Sequence, residues 1–575
     1  MKGIYVHLKQ YKKECILGPL FKLLEAGFDL LVPLVTATII DRGIAANDKQ
    51  FILQYGGVLL LLAAVGLTCS LTAQYFAAKA AVGFAAKLRY LLFEHIQTLS
   101  FTDMDKIGSS TLITRMTSDI NQVQSGVNMV LRLFLRSPFI VFGAMFFALA
   151  IDVKAALTFV VVIPLLALVV FGIMLISMPL YKKVQESLDR VLMSTKQNLT
   201  GVRVIRAFCK EKKEETEFQE NNESLAKRQL FVGRISALTN PVTYVMINIA
   251  LVVLLWAGGK QVQVGTLTQG QVVALINYLS QILVELIKMA NTIVLTNKAL
   301  ACARRIQDVL DVTPVISNEE WKEEANIEKW SGGGCKVEFS HVSMTYDGAL
   351  EPSVEDISFV AEPGEFVGII GGTGSGKTSL VHLIPRFYDT SAGSVKIDGK
   401  DVREIPLQTL RKNIGIVMQK PVLFHGTIRE NLLWGNENAT EEEIMEALEL
   451  SQSLEFVMQK EKTLDYIIEQ GGKNLSGGQR QRLTIARALI GKPGILIFDD
   501  STSALDYATD YRLRKALSHL AYHPTIFMIS QRTSSICHAN QILVLDDGKM
   551  MGKGTHETLR KDCEVYEEIH SVQNA

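Results

Sequence analysis

A glycine-rich segment in the second half of the chain carries the residue types that bind nucleotide phosphates. Residues 371–378 read Gly-Gly-Thr-Gly-Ser-Gly-Lys-Thr and fit the pattern G-x-x-x-x-G-K-[ST]. In such a loop the backbone N–H groups surround the β- and γ-phosphates, the lysine adds a point charge, and the following hydroxyl can bind Mg²⁺. The pattern predicts a nucleoside triphosphate site formed by Gly371, Gly372, Thr373, Gly374, Ser375, Gly376, Lys377, Thr378 and Ser379.

Three other short segments carry residues that would complete such a site. An apolar run, Ile-Leu-Ile-Phe, ends in Asp499, which we expect to support Mg²⁺ together with Thr378. Gln419 directly follows the apolar run 414–418. Residues 475–479 read Leu-Ser-Gly-Gly-Gln and precede a helix-like run. Small residues with backbone donors at a helix N-terminus suit an anion, and the segment contributes Ser476, Gly477, Gly478 and Gln479.

The elements that position these residues are predicted to form an α/β domain. Residues 366–370 read as a buried strand that enters the phosphate loop, and a helix is expected to begin near Lys377. Helix-like segments separate several β-rich runs, which favours a parallel core sheet; the runs are 336–339, 366–370, 394–397, 414–418, 495–498, 525–529 and 541–545. We place this domain at 336–575, after a linker at 313–335 that contains Pro314 and Ser-Gly-Gly-Gly.

The first part of the chain, 1–312, is predicted to be an all-α membrane domain. It contains six mainly apolar windows: 16–40, 55–73, 137–151, 155–178, 235–259 and 261–284. The first of these is the weakest, because charged residues interrupt it. Buried helices of a soluble protein are the alternative explanation. Four lysines precede the first window and favour a cytosolic N-terminus; they are Lys2, Lys9, Lys12 and Lys13. Six crossings would return the chain to the cytosol.

The intervals between these windows alternate in length. Residues 152–154 are expected to form a short outer turn. Residues 79–136 and 179–234 are long, mixed in charge and helix-prone, which predicts helices that run past the membrane and turn back near 103–110 and 207–214. Each of these two turns is suited to contact another domain.

Composition excludes several classes of protein. The chain has 575 residues, too many for one core, and its 59 basic and 59 acidic residues give no support for a nucleic-acid partner. Seven scattered cysteines without a C-x-x-C pair argue against a disulfide framework or a zinc site. No cleavable signal peptide is expected from the polar, basic start of the sequence.

The ordered motifs resemble those of the ABC exporters along essentially the whole chain. The resemblance implies a multidomain protein in which an all-α six-helix transmembrane domain is followed by an α/β P-loop ABC nucleotide-binding domain. It implies that Tyr346 stacks on adenine and that Gln419 is the Q-loop glutamine near Mg²⁺. Glu469 matches the X-loop of exporters, and Ser503-Ala-Leu-Asp506 matches their D-loop. The two cytosolic turns correspond to coupling helices, and residues 201–208 resemble the run before the second of these.

The same resemblance implies that the chain must dimerise. In the family, two motor domains pair head to tail, and the signature of one caps the ATP held by the phosphate loop of the other. Residues 475–479 match that signature. The expected cofactors are ATP and Mg²⁺, and the expected partner is a second ABC half-transporter in the plasma membrane, surrounded by membrane lipids.

Two residues depart from the family pattern, and both lie in the site built on this chain's own phosphate loop. Asp500 stands where the family has the glutamate that polarises water, and Gln531 stands in place of the switch histidine. The shorter aspartate withdraws its carboxylate by about 1 Å or more, a misplacement that can lower a rate by roughly 10²-fold. Glutamine can donate a hydrogen bond but does not titrate as histidine does.

These departures predict a heterodimer with one degenerate and one hydrolytic ATP site, similar to bacterial heterodimeric multidrug exporters. The alternative that remains open is a slow homodimer, exporting a lipid or peptide, in which Asp500 still works. Another is a regulatory subunit that gates its partner; transport that survives Lys377→Ala would support it. A soluble ABC-type ATPase requires that the hydropathy interpretation be wrong, which carbonate extraction of membranes would reveal.

Charged residues inside the predicted spans suggest function, because charges are costly in a bilayer. Three pairs lie at helical spacing: Glu25 with Asp29, Arg132 with Arg136, and Glu285 with Lys288. A substrate site that faces a cavity is one explanation, and internal ion pairs or snorkelling at the membrane edge is the other. The expected substrate is a hydrophobic or amphiphilic small molecule, and the two acids mildly favour a cationic one.

Overall fold

The computed structural model describes residue 4 and residues 6–316 and 333–574. These residues form two compact units, Met1–Gln97 with Ser110–Val312, and Thr98–Ser109 with Thr313–Ala575. The centre of the predicted linker, 317–332, lies outside the described residues, as does Lys2.

The first unit contains six helices that are long and apolar enough to cross a membrane, which confirms the predicted number of crossings for the described residues. They extend over His7–Ile44, Lys49–Thr98, Ser109–Ile151, Val153–Thr200, Glu211–Val264 and Gln269–Leu310. Short π-helical turns interrupt two of these helices. The first contains one at Ile39–Ile44, and the third contains two, at Arg115–Asp119 and Val130–Phe134.

The predicted sixth window began too early. Residues 261–264 continue the helix Thr239–Val264, and the chain turns at Gly265, which has a left-handed φ of 80°. Thr268 then starts the last helix with a capping box to Gln271. The uncharged run across this turn hid the break from a hydropathy window.

Other helix breaks follow local chemistry that the sequence indicated. The Asp152 side chain accepts a hydrogen bond from the Ala155 N–H, so the chain turns there between the third and fourth spans. Ser100 caps the short helix Phe101–Ile107, which ends at Gly108. The helix Val202–Ala207 ends shortly before the fifth long helix begins at Glu211.

The second unit is organised around a six-stranded sheet in the order β12-β11-β3-β10-β9-β6. A four-stranded antiparallel sheet, β2-β1-β4-β5, packs beside it, and β7 pairs with β8. The strands are β1 Val337–Met344, β2 Val354–Ala361, β3 Phe366–Gly371, β4 Ala392–Ile397, β5 Lys400–Asp401, β6 Ile414–Val417, β7 Gly426–Thr427, β8 Ile467–Ile468, β9 Ile495–Asp499, β10 Thr525–Ile529, β11 Gln541–Asp546 and β12 Lys549–Gly554.

All seven predicted strands are present, and the core of the larger sheet is parallel as expected. Strands β11, β3, β10, β9 and β6 are parallel neighbours, and only β12 is antiparallel. The carboxyl ends of β3, β9 and β10 therefore meet at one edge, where α/β domains bind ligands. The helices of this unit are Lys377–His382, Leu407–Lys412, Ile428–Leu433, Glu441–Leu450, Leu454–Met458, Gly477–Ile490, Tyr507–Ser518, Thr533–Ile536, His556–Asp562 and Glu564–Asn574.

The segment Thr98–Ser109 belongs to this second unit, although sequence assigned it to the membrane domain. The Phe101 ring stacks on Phe387 with 4.4 Å between centroids. The Tyr388 hydroxyl donates to Asp105 Oδ2 at 2.6 Å. These aromatic and polar contacts hold the turn predicted near 103–110 against the α/β domain.

Candidate functional site

The phosphate loop has the backbone that its glycines were expected to provide. It leaves β3 at Gly371 and enters the helix Lys377–His382. Gly374 and Gly376 have φ values of 87° and 88°, which side-chain-bearing residues rarely adopt. A Cβ atom at Gly376 would also collide with the carbonyl oxygen of Ser353. The loop conformation therefore depends on glycine at this position.

Lys377 is held inside the loop. Its Nζ donates to the Gly371 carbonyl at 3.0 Å and to Ser375 Oγ at 3.1 Å, and it also contacts the Gly372 carbonyl. Burial lowers the pKa of this ammonium, and the nearby carboxylates of Asp500 and Asp499 oppose the shift. The lysine is thus positioned and partly desolvated where a phosphate oxygen would replace the loop carbonyls.

Thr378 and Asp499 come together as predicted for a magnesium site. The Thr378 hydroxyl donates to Asp499 Oδ1 at 2.8 Å. Burial raises the Asp499 pKa, while the Thr378 hydrogen bond and Lys377 lower it. A hydroxyl and a carboxylate from two different elements form an all-oxygen donor set, which fits Mg²⁺.

The two atypical residues, Asp500 and Gln531, contact each other directly. The Gln531 Nε2 donates to Asp500 Oδ2 at 3.1 Å. Burial, followed by repulsion from Asp499, raises the Asp500 pKa, while Lys377 and the side chains of Gln419 and Gln531 lower it. The Asp500 backbone has a left-handed φ of 44°. Its carboxylate is therefore engaged by glutamine donors within the site.

Tyr346 borders the same loop. Its hydroxyl lies 2.9 Å from Ser379 Oγ, and its ring meets Tyr388 edge-on at 5.1 Å between centroids. The predicted adenine-stacking residue and the last predicted loop residue are therefore adjacent.

The signature residues start a separate helix, Gly477–Ile490. Ser476 and Gln479 form a capping box, in which the Gln479 N–H donates to Ser476 Oγ at 3.3 Å. Gln479 Oε1 accepts from the Ser476 N–H at 3.0 Å. Within the described part of the chain, no hydrogen bond joins these residues to the phosphate loop. That separation is what a signature serving another chain's nucleotide requires.

The C-terminal helix Glu564–Asn574 contributes a contact that sequence reasoning missed. Gln573 Oε1 accepts from the Thr533 N–H at 2.8 Å, and its Nε2 donates to the Gln531 carbonyl at 2.6 Å. His570 Nδ1 also lies 3.2 Å from Thr533 Oγ1. One glutamine side chain thus holds the backbone on both sides of Arg532, next to the residue that contacts Asp500.

Gln573→Ala is expected to loosen this segment without unfolding the domain. Loss of hydrogen bonds worth about 1 kcal/mol each should speed amide exchange at Thr533 by roughly five- to tenfold. Hydrogen exchange measured by mass spectrometry on the full chain checks this. Ser571→Ala, on the same helix, is the matched control, and equal exchange in the two variants would contradict the positioning role.

His382 approaches the other carboxylate oxygen of Asp499, with Nε2 at 3.8 Å from Asp499 Oδ2. Burial lowers its pKa to about 4, so the imidazole is neutral at pH 7 and the approach is not an ion pair. The unfolded chain therefore takes up this proton first as pH falls. The free energy of unfolding is therefore unaffected by this proton above the ordinary histidine pKa of about 6.5. It decreases as the pH falls from there to about 4.

His382→Gln should flatten this part of the pH profile. The linked loss in the unmodified chain is about 3 kcal/mol between pH 6.5 and 4. Thermal unfolding of the ligand-free chain at several pH values measures it. His519→Gln, at an exposed histidine, is the control; an unchanged pH slope in His382→Gln would show that the proton is taken up elsewhere.

Together, the loop, the paired Thr378 and Asp499, and the separate signature helix define a P-loop ATPase domain joined to six membrane-crossing helices. The family model for the ABC transporter transmembrane region matches residues 15–286 of the sequence, and the ABC transporter family model matches residues 354–503. The chain is 36% identical to the ABC transporter ATP-binding protein YfiB of Bacillus subtilis, over 98% of this chain and 97% of that protein. It is 32% identical to the ATP-dependent lipid A-core flippase of Syntrophus aciditrophicus, over 85% of this chain and 80% of that protein.

A solved structure shares the fold. A bacterial Atm1-family ABC exporter with ATP bound superposes with a TM-score of 0.79 at 23% identity, covering 98% of each chain. The chain belongs to the ABC transporter family. It is a multi-pass, ATP-hydrolysing half-transporter in which a transmembrane domain is fused to an ABC ATPase.

Proposed function

We propose that this chain is the degenerate-site half of a heterodimeric exporter in the plasma membrane. The observation that carries the proposal is the contact between Asp500 and Gln531 in the chain's own nucleotide site. A glutamate and a histidine at these two positions would polarise the attacking water. Here the shorter carboxylate instead accepts a hydrogen bond from an amide that cannot titrate.

The proposed division of labour follows from which parts are intact. The phosphate loop, Thr378 and Asp499 retain the chemistry that binds Mg-ATP. The signature helix retains the small residues Gly477 and Gly478, whose N–H groups lie outside the capping box of Ser476 and Gln479. This chain would therefore hold one ATP with little hydrolysis and would complete the hydrolytic site on a partner that supplies glutamate and histidine.

Transport is proposed to follow closure of the two ATPase domains around ATP. The N-terminus and the ATPase domain would face the cytoplasm, in accordance with the lysines before the first apolar window, 16–40. The helix Phe101–Ile107 packs on the α/β domain through Phe387 and Tyr388, which supports a role as a coupling helix. Nucleotide-driven closure could then move the membrane helices as a hinge.

The proposed substrate is a hydrophobic or amphiphilic small molecule. Lipid export is a second candidate, supported by the relative described as a lipid A-core flippase. In either case the amphiphile would be moved outward by a protein with a membrane cavity and an ATP-driven switch.

Purification of the tagged chain from its native membrane in mild detergent tests the heterodimer. We expect an equimolar second ABC half, with glutamate and histidine at the positions that match Asp500 and Gln531. An untagged strain is the control for adventitious capture. Recovery of this chain alone, as a dimer that hydrolyses ATP, would contradict the proposal.

A further inference from the structure

The membrane unit contains a network of charges centred on Arg136. Its Nη1 donates to Glu285 Oε1 at 2.8 Å, and its Nη2 donates to Asp29 Oδ2 at 2.9 Å. Glu25 Oε1 lies 3.8 Å from the same guanidinium. One arginine of the third span thus forms ion pairs with acids of the first and sixth spans.

The network is neutral and divides into a buried and an open part. Glu25 also binds Lys22, and Lys288 binds Glu285 at 2.9 Å, so three bases meet three acids. Lys22, Glu25, Arg136 and Glu285 are buried, with side-chain exposures between 4% and 12%. Asp29 and Lys288, by contrast, are 43% and 42% exposed. The four buried ions cancel. The Asp29 carboxylate and the Lys288 ammonium remain open to solvent on one side, although each is still paired within the network, with Arg136 and Glu285 respectively.

Both open charges line the same cavity. It has a volume of about 490 Å³, within the range of small-molecule sites. Val32, Ile140 and Val284 add apolar wall beside the charges. Two buried atoms of its lining residues, Arg136 Nε and Gln281 Oε1, have no hydrogen-bond partner within the described part of the chain. The cavity thus offers two opposite charges next to an apolar surface.

We propose that this cavity binds the zwitterionic head group of an amphiphile, with the ligand's cation at Asp29 and its anion at Lys288. The inference rests on the proposed transport function and specifies its substrate class. It replaces the cationic preference expected from Glu25 and Asp29 alone, because Glu25 is buried with Lys22 and the exposed Asp29 shares its cavity with the exposed Lys288. The apolar wall would receive the start of the hydrocarbon chain.

Charge balance is the physical reason for this selectivity. A ligand that carries one charge would exclude water from both open groups but would compensate only one of them. Loss of hydration by a charged group is costly, and a zwitterion compensates it at both groups. A mismatch between the charges of the ligand and those of the site therefore contributes to selectivity, as attractive contacts do.

Three probes with one dodecyl chain test the inference: dodecylphosphocholine, dodecyltrimethylammonium and dodecyl sulfate, each below its micellar concentration. The transporter, with any partner that co-purifies, is placed in neutral-lipid nanodiscs, and the rise in its thermal unfolding midpoint is measured. A ligand of the native state raises this midpoint in proportion to its binding. We expect half-maximal stabilisation by the zwitterion at about tenfold lower concentration than by either singly charged probe, equivalent to about 1.4 kcal/mol.

Two variants should shift the order in which the three probes stabilise the protein, in opposite directions. Asp29→Asn should favour the anionic probe, and Lys288→Gln should favour the cationic probe. The exposed pair Glu223 and Lys227 provides the matched controls Glu223→Gln and Lys227→Gln, which should leave the ranking unchanged.

A wild-type protein that prefers a singly charged probe, or that ignores head-group charge, would overturn the inference even if neither variant folds. Equal effects of Asp29→Asn and Lys288→Gln on all probes would show that the network only holds helices together. Both readouts are independent of ATP turnover and of the partner's identity. Failure here therefore leaves the asymmetric ATP site standing, and recovery of a homodimer leaves this inference standing.

Discussion

Replacing Asp500 with glutamate and Gln531 with histidine is expected to raise ATP turnover at this chain's own site by about 10²-fold. The added methylene carries the carboxylate toward the position of the attacking water. The histidine removes the amide that donates to Asp500 Oδ2 at 3.1 Å and supplies a titratable group. Single-turnover hydrolysis of labelled ATP by the purified transporter measures the change.

The two sites of the dimer must be separated for this measurement. Because this chain's signature is proposed to serve the other nucleotide, disabling the signature leaves only the site under test. The paired substitutions should therefore be compared with the starting chain in a Gly477→Asp background, with Asp500→Asn as the negative control. If turnover in that background does not rise, the two substitutions are not what limits the site.

Gly477→Asp by itself should reduce hydrolysis in the transporter by about 10²-fold or more, because a negative charge would face the γ-phosphate where a donor group is required. The substitution should not harm the fold. A Cβ atom at Gly477 meets no other atom within 4 Å, and an acid in the first turn favours a helix. Steady-state ATPase activity and the thermal unfolding midpoint, measured on one preparation, separate the two effects.

Gly477→Asn is the matched control, since it adds nearly the same volume without the charge. We expect it to retain most of the activity that the aspartate removes. Equal losses in both variants would indicate a steric cause and would argue against a signature that faces phosphate.

Local patterns predicted much of this protein because local physics determines those parts. The strand, glycine loop and helix around Lys377 follow one another directly in sequence, and uninterrupted apolar runs are visible without a structure. Five strands were missed: the two-residue strands β5, β7 and β8, and the longer strands β2 and β12. The two longer ones share a cause. Each has one exposed or half-exposed side and contains charges such as Asp356 or Lys553, so neither has the apolar run that identifies a buried strand.

Contacts between distant positions were beyond that reasoning. Arg136 binds Glu285 across 149 positions, and Gln573 binds Thr533 across 40. Sequence spacing paired Arg136 with Arg132 and Glu285 with Lys288, since helical periodicity relates only neighbours on one helix. Packing of the first, third and sixth spans was needed to reveal the neutral network and the two charges that it leaves open.

The left-handed backbone at Asp500 adds a trade-off to the proposed loss of hydrolysis. Aspartate tolerates a φ of 44° better than glutamate, because its short carboxylate can bond to the local backbone. Restoring glutamate should therefore cost roughly 0.5–1 kcal/mol of stability even as it restores activity. A half-transporter that acquired aspartate here would gain free energy of unfolding in this domain, while its partner continued to hydrolyse ATP. Reversion to glutamate would then lower stability and be disfavoured, and the ATP bound in this site would act as a structural ligand.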